Sequence, residues 1–223
     1  MSPEIFLDKI TLLGTTHKEA GKCTVNSLYS IIEKINPDLI FEETDLMSYY
    51  TVYILKQKSD SMERTTIQKY VNNHNIKNIP IDTLEYPKDF TEWNNKILQD
   101  LQYPDETNKE LLELTNFIKN YYADNGFGCI NTEYFDNLII KKYQIWENYI
   151  HNYRKHLVKY YDDFINFVYE EREFEMINNI SKYQRVQNNN FNAVLLLGAD
   201  HRMSITKKLQ KITGIEYDFY YNS

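Results

Sequence analysis

Two short apolar runs, each closed by the same kind of turn, constrain this chain more than anything else in it. Ile10 to His17 reads ITLLGTTH, and Ala193 to His201 reads AVLLLGADH. An apolar run of this length ending in Gly is the pattern of a buried strand entering a tight turn. In each case a His follows just past the strand's carboxyl end. With 6 Gly and 5 His in 223 residues, chance supplies about 0.13 Gly-x-x-His matches. Two matches, both behind the best strand candidates of the chain, are therefore expected to be the two halves of one site.

The residues between them set the architecture. After Thr24 or Asn26, either of which can cap a helix, Val25, Leu28, Ile32 and Ile35 recur at helical spacing until Asn36-Pro37 stops the run. Asp38 to Phe41 is then a short buried strand, followed by Glu42, Glu43, Thr44 and Asp45. Strand, helix, strand over this length is a βαβ unit, which makes the strands parallel with a right-handed crossover. Helices are expected over Leu46 to Lys56 and Met62 to Asn73. A third strand, Ile76 to Ile81, is held to a sheet edge or a strand end by Pro80.

Phe90 to Tyr122 is helical by pattern, broken at Pro104. Ala123 to Cys129 (ADNGFGC) is the clearest loop and a candidate lid. From Ile130 to Leu197 there is neither Gly nor Pro, which predicts long helices whose break no residue marks, then a polar connector before Phe191. Ile205, Leu209 and Ile212 mark a helix ended by Gly214, and Ile215, Tyr217, Phe219 and Tyr221 alternate as in a last strand. The expected fold is α/β in one domain spanning 1–223. Both chain ends build a central, mostly parallel or mixed sheet, and a helical insertion or lid occupies roughly 90–185.

Composition narrows the function classes. A net charge of −7 argues against a general nucleic-acid binder, which needs a basic footprint. Two cysteines, Cys23 and Cys129, make no disulfide framework. The start, MSPEIF, has neither a basic nor an apolar leader segment. No apolar stretch approaches the length of a membrane span. The expectation is a cytoplasmic protein with reduced thiols and a small-molecule or peptide substrate.

The conspicuous polar residues, His17, Glu42 or Glu43, Asp82 and His201, all follow strands. In an open parallel sheet those carboxyl ends share the edge where ligands bind. Two His and one carboxylate suit Zn, Mn, Co or Fe(II), with positions left for a water that the metal would activate. The alternative is that each His only caps its own turn by hydrogen bonding. Glu42 and Glu43 point to opposite faces, so only one can easily face the site.

Tyr161, Ile165, Val168, Arg172, Met176 and Ile180 fall on one helical stripe. A guanidinium in an apolar stripe needs an anion, either a structural carboxylate or the developing charge of a substrate. Glu170, Glu171 and Glu173 lie off that stripe and are expected on a solvated face. Asp82 is expected to cap the segment after it, and Asp200 to brace His201. His74, His151 and His156 read as surface residues.

GTTH after the first strand, PDLIFEE after the first helix, EERE on a late helix and LLLGADH near the end together resemble the TraB/PrgY–TIKI superfamily, which includes GumN-like and erythromycin-esterase-like proteins. The likeness spans Ile10 to about Leu209. It implies that His17, Glu43, Arg172 and His201 are the functional residues, Glu43 rather than Glu42 by its spacing from Pro37-Asp38. It also implies a metalloprotease- or esterase-like activity, a role as a regulator of peptide signals being described for other members. The expected function is metal-dependent hydrolysis of ester or peptide bonds. His17, Glu43 and His201 would hold a divalent ion (Mn, Co or Zn), the carboxylate could also act as general base, and Arg172 would stabilise the oxyanion. A protein that captures a ligand in the same pocket without turnover is the alternative.

Overall fold

The computed structural model describes residues 8–83, 85–103, 105–186, 191–211 and 215–220, with side chains omitted at 8 and 215–219. In chain order the elements are β1 (Asp8–Thr15), α1 (Val25–Ile35), β2 (Leu39–Glu42), α2 (Leu46–Tyr49), α3 (Met62–Asn73), β3 (Lys77–Pro80) and α4 (Phe90–Leu101). They continue as α5 (Lys109–Asn125), α6 (Phe127–Ile130), α7 (Glu133–Tyr153), α8 (Val158–Ile165), α9 (Glu173–Val186), β4 (Asn192–Gly198), α10 (Arg202–Leu209) and β5 (Ile215–Phe219). Of the expected features, residues 5–7 of the first strand, the helix break at Pro104, the connector 187–190, Ile212, Gly214 and Tyr221 lie outside the described residues.

The sheet has the order β3-β2-β4-β1-β5, and every pair in it is parallel. β4, late in the chain, inserts between β1 and β2. Its register sets Thr15 beside Gly198 and Glu42 beside Leu196, so the three strands end level with one another. β3, which carries Pro80, is an edge strand, as its missing N–H requires.

α1 begins on Thr24, whose side chain accepts from Ser27 N, and ends at Asn36 in the left-handed region (φ 48°). It packs on the sheet face made by Leu13, Ile40, Val194 and Leu196. The opposite face, with Ile10, Leu12, Phe41 and Leu195, is covered by Met176, Ile177 and Ile180 of α9 and by Ile205 and Leu209 of α10. The connections leaving β1 and β4 thus run to opposite faces and in opposite directions along the sheet. That divergence opens a crevice beyond the carboxyl ends of these two strands, the usual ligand position in an open parallel sheet.

The middle of the chain is helical, and its helices share a satellite apolar cluster that includes Ile97, Leu111, Tyr149, Ile150 and Tyr161. The break that no sequence signal marked falls at Arg154, where the chain leaves α7 and enters a 3₁₀ turn, Lys155–Leu157. α8 then runs into α9 through a π-helical turn, Asn166–Arg172.

Ala123–Cys129 is not a lid. α5 extends through it to Asn125, Gly126 turns the corner at φ 78°, and Phe127 and Cys129 are buried in α6. The corner is tied to β1 through Asn131, whose Oδ1 accepts from Gly14 N at 2.7 Å and whose Nδ2 donates to Gly14 O at 3.0 Å. Gly14 is needed for that approach. A Cβ there would lie 3.2 Å from Arg202 Cδ and 3.3 Å from Asn131 Oδ1.

Candidate functional site

β1, β2 and β4 deliver His17, Glu43 and His201 to one rim, and the π-helical turn delivers Arg172 above them. A cleft of about 410 Å³ is lined by all four. Gly198, at the end of β4, lies against two of them: a Cβ there would meet Glu43 Oε2 at 3.4 Å and His17 Nε2 at 3.6 Å. The first imidazole and the carboxylate therefore flank the same small space. The second imidazole has its Nε2 3.6 Å from Glu43 Oε1.

Each imidazole is held through its Nδ1 by a carboxylate that the sequence did not single out for the task. His17 Nδ1 meets Glu63 Oε2 at 3.0 Å, and Glu63 also accepts from Thr15 Oγ1 and Ser61 Oγ. His201 Nδ1 meets Glu173 Oε1 at 2.7 Å; Glu173 Oε2 accepts from Ser204 Oγ and Lys208 Nζ. Both arrangements place N–H on Nδ1 and turn Nε2 to the cleft. Hydrogen bonding to Glu63 raises the His17 pKa to about 9, against an opposing effect of burial. For His201 burial pulls the pKa down, but Glu43 and Glu173 outweigh it and the net direction is up.

Glu173 corrects an expectation. The sequence pattern puts it on a solvated face, yet it is fully buried. The stripe Tyr161-Val168-Arg172-Met176 is real, but the π-helical turn ending at Arg172 holds an extra residue per turn. That widens the inward face, so Arg172 and Glu173 both point at the sheet. Asp200 does not brace His201; it accepts from Lys142 Nζ at 2.6 Å and Tyr143 OH at 2.9 Å.

Arg172 has its anion in the protein. It donates to Asp82 through Nε and Nη2, both at 2.7 Å, and to Glu43 Oε1 through Nη2 at 2.7 Å. Asp82 does accept from Thr83 N, as a capping residue would, but its main partner is the guanidinium. Arg172 Nη1 is turned toward His201 Nε2 at 3.4 Å. Both Glu43 oxygens are engaged: Oε2 accepts from Gly198 N at 2.6 Å. Burial works to raise the Glu43 pKa, but His201 and Arg172 prevail and hold it below the ordinary value.

Glu42 leaves the strand on the side opposite Glu43, as its position requires, and still borders the cleft. It is buried, accepts from Asn78 Nδ2 at 3.0 Å, and lies 3.8 Å from Arg64 Nε. Burial pushes its pKa up to about 7, against Tyr53, Asn78 and Arg64. Of the His expected at the surface, His151 and His156 are exposed, while His74 is half-buried. His74 stacks on Tyr70 and bonds Glu33, and His151 pairs with Asp162 near solvent.

The donor set does not fit the expected metal. Glu43 spends both oxygens on Arg172 and Gly198, and a guanidinium stands 3.4 Å from His201 Nε2. A divalent ion with ligand bonds of ~2 Å to Glu43 and His201 would sit beside that fixed positive charge. Among the described residues no group of three or more His, Cys, Asp or Glu has the geometry to hold a metal ion. As placed here, the second strand's carboxylate serves as counter-ion to Arg172, and no step is derived through a metal.

Among the described residues no helix is long and apolar enough to cross a membrane. No family model, curated protein or solved structure matches the chain.

Proposed function

We propose that the protein is a hydrolase of carboxylic ester bonds that works through its two imidazoles rather than through a metal. The single observation carrying this reading is the repeated imidazole–carboxylate pair. His17 on Glu63 and His201 on Glu173 both direct Nε2 at the cleft that Arg172 overlooks.

In this reading an ester carbonyl lies over Gly198. A water attacks its carbon while His17 Nε2, in the neutral form whose population grows as pH rises toward about 9, takes the water's proton as general base. The negative charge that develops on the carbonyl oxygen is met by Arg172 Nη1 and by the Nε2–H of protonated His201. The tetrahedral intermediate then expels the alkoxide, which recovers the proton from His17, so ester and water give acid and alcohol. Glu63 and Glu173 fix tautomer and ring orientation and are positioning residues. Glu43, depressed in pKa and doubly bonded, is a weak base and serves to hold Arg172 and His201. This chemistry accords with the resemblance to erythromycin-esterase-like proteins and replaces the metal-bound water expected from that resemblance.

The test is a panel of esters incubated with purified protein in the presence of a strong chelator. Turnover that survives chelation and falls at least ~100-fold in His17→Gln, as loss of a general base does, supports the reading. Turnover abolished by the chelator refutes it. A protein that captures a ligand without turnover is the second reading, favoured by the neutralisation of Arg172 by Asp82 and Glu43. Stoichiometric binding with no product on any ester distinguishes it.

A further inference from the structure

His17, Arg172 and His201 border not one cavity but two. The second, of about 690 Å³, meets the first along these three side chains and also takes in Gly198, over which the reacting carbonyl lies in the hydrolytic reading. The two differ in chemistry. The first is lined by carboxylates, among them Glu42, Asp45, Asp60 and Glu63. The second is built by the helical middle of the chain and is walled by aromatic rings: Phe90 of α4, Tyr122 of α5, Tyr143 of α7, and Phe164 and Tyr169 on and just after α8. Phe90 and Phe164 stack on each other at 5.7 Å, and Phe164 also meets Trp146 at 6.4 Å. Its carboxylate, Asp200, is already bound to Lys142 and Tyr143.

An ester held at the junction sends one substituent into each cavity. We propose that the preferred substrate is amphipathic: one arm is an apolar group of phenylalkyl size, seated among Phe90, Phe164 and Tyr169, and the other is a hydroxylated or otherwise polar group facing the carboxylates. This rests on the hydrolytic reading of the site for the word substrate, while the apolar subsite rests on the cavity alone. Apolar rings that leave a space of this size open gain by covering their faces with a ligand of matching polarity.

The chain carries its own reporter. Both of its tryptophans touch the wall: Trp93 lies 6.4 Å from Phe90, and Trp146 lies 5.8 Å from Tyr143. Intrinsic fluorescence of the full chain titrated with 4-phenylbutanamide is expected to change saturably, and with acetamide not to change. Phe164→Ala is expected to weaken the phenyl probe about 10-fold, the loss of one aromatic face. Thr115→Phe fills the rim of the cavity from an exposed position and removes no packing, so it covers the case in which Phe164→Ala does not fold; it is expected to abolish the saturable signal. No saturable signal in the unmodified chain, or equal affinity in Thr115→Phe, overturns the proposal.

The two readings fail differently. Phenyl-probe binding without ester turnover refutes the hydrolase and leaves the apolar subsite. Equal cleavage of acetyl and 4-phenylbutyryl esters of glycerol refutes the subsite and leaves the hydrolase.

Discussion

Replacing Glu63 by Gln removes the carboxylate that holds His17 and leaves a side chain of the same shape. The native His17 titrates near 9 because its Nδ1 lies 3.0 Å from Glu63 Oε2. With Gln in that place it is expected to fall toward the ordinary value of about 6.5. At pH 7 the neutral fraction of His17 then rises from about 1% to about 75%. Between pH 6.5 and 9 the folded native chain binds more protons at this site than the unfolded one. The stabilisation is therefore complete below about pH 6.5 and lost as pH rises through 9.

At full strength that interval is worth about 3 kcal/mol. The His17 side chain is 69% exposed, so solvent and salt reduce it to about 1 kcal/mol. The assay is an NMR titration of the imidazole Cε1–H signals, with His17 assigned by its loss in His17→Gln. A native His17 titrating within half a unit of 6.5, or one unmoved by Glu63→Gln, refutes the pairing and with it the account of how the base is tuned.

Glu173→Ala leaves His201 and Lys208 without their buried partner and is expected to cost about 3–5 kcal/mol, read as a fall of roughly 10 °C in Tm; a fall under 2 °C contradicts the burial argument. Glu42, with its pKa pushed up to about 7 by burial, makes the fold bind extra protons between its ordinary carboxyl range and 7, so its contribution worsens as pH rises through that window. Glu42→Gln is accordingly expected to stabilise the protein by about 2–3 kcal/mol at pH 8 and to be near neutral at pH 4; chemical denaturation at the two values checks it, and an equal effect at both contradicts it.

What the chain shows locally was legible. The Gly-x-x-His turns, the Thr24 cap, the βαβ opening and the edge position of the Pro80 strand follow from patterns a few residues long. The adjacency of β1 and β4 was inferred only from the repetition of a motif, and the strand order that creates it depends on both helical layers. The carboxylates that hold the imidazoles were hidden for definite reasons. Glu63 sits in the first turn of α3, where an acidic residue is expected merely to complement the helix dipole.

Glu173 was hidden because a regular helical wheel cannot include the π-helical turn before it. The place of Arg172 was hidden too, since two His and a carboxylate read as metal ligands in the sequence and only the fold sets a guanidinium among them. The supposed lid was a helix corner, fastened by Asn131 to a glycine more than a hundred residues away in sequence.

The central claim is that His17 and His201 act on one substrate in one cleft, and a double-mutant cycle on ester hydrolysis tests it most directly. His17→Gln and His201→Gln are each expected to lower kcat/KM by roughly 100-fold or more, and the double variant to be little worse than the poorer single one, as groups serving one step are non-additive. Losses that simply multiply, or a single variant with unchanged kcat/KM, would contradict the account.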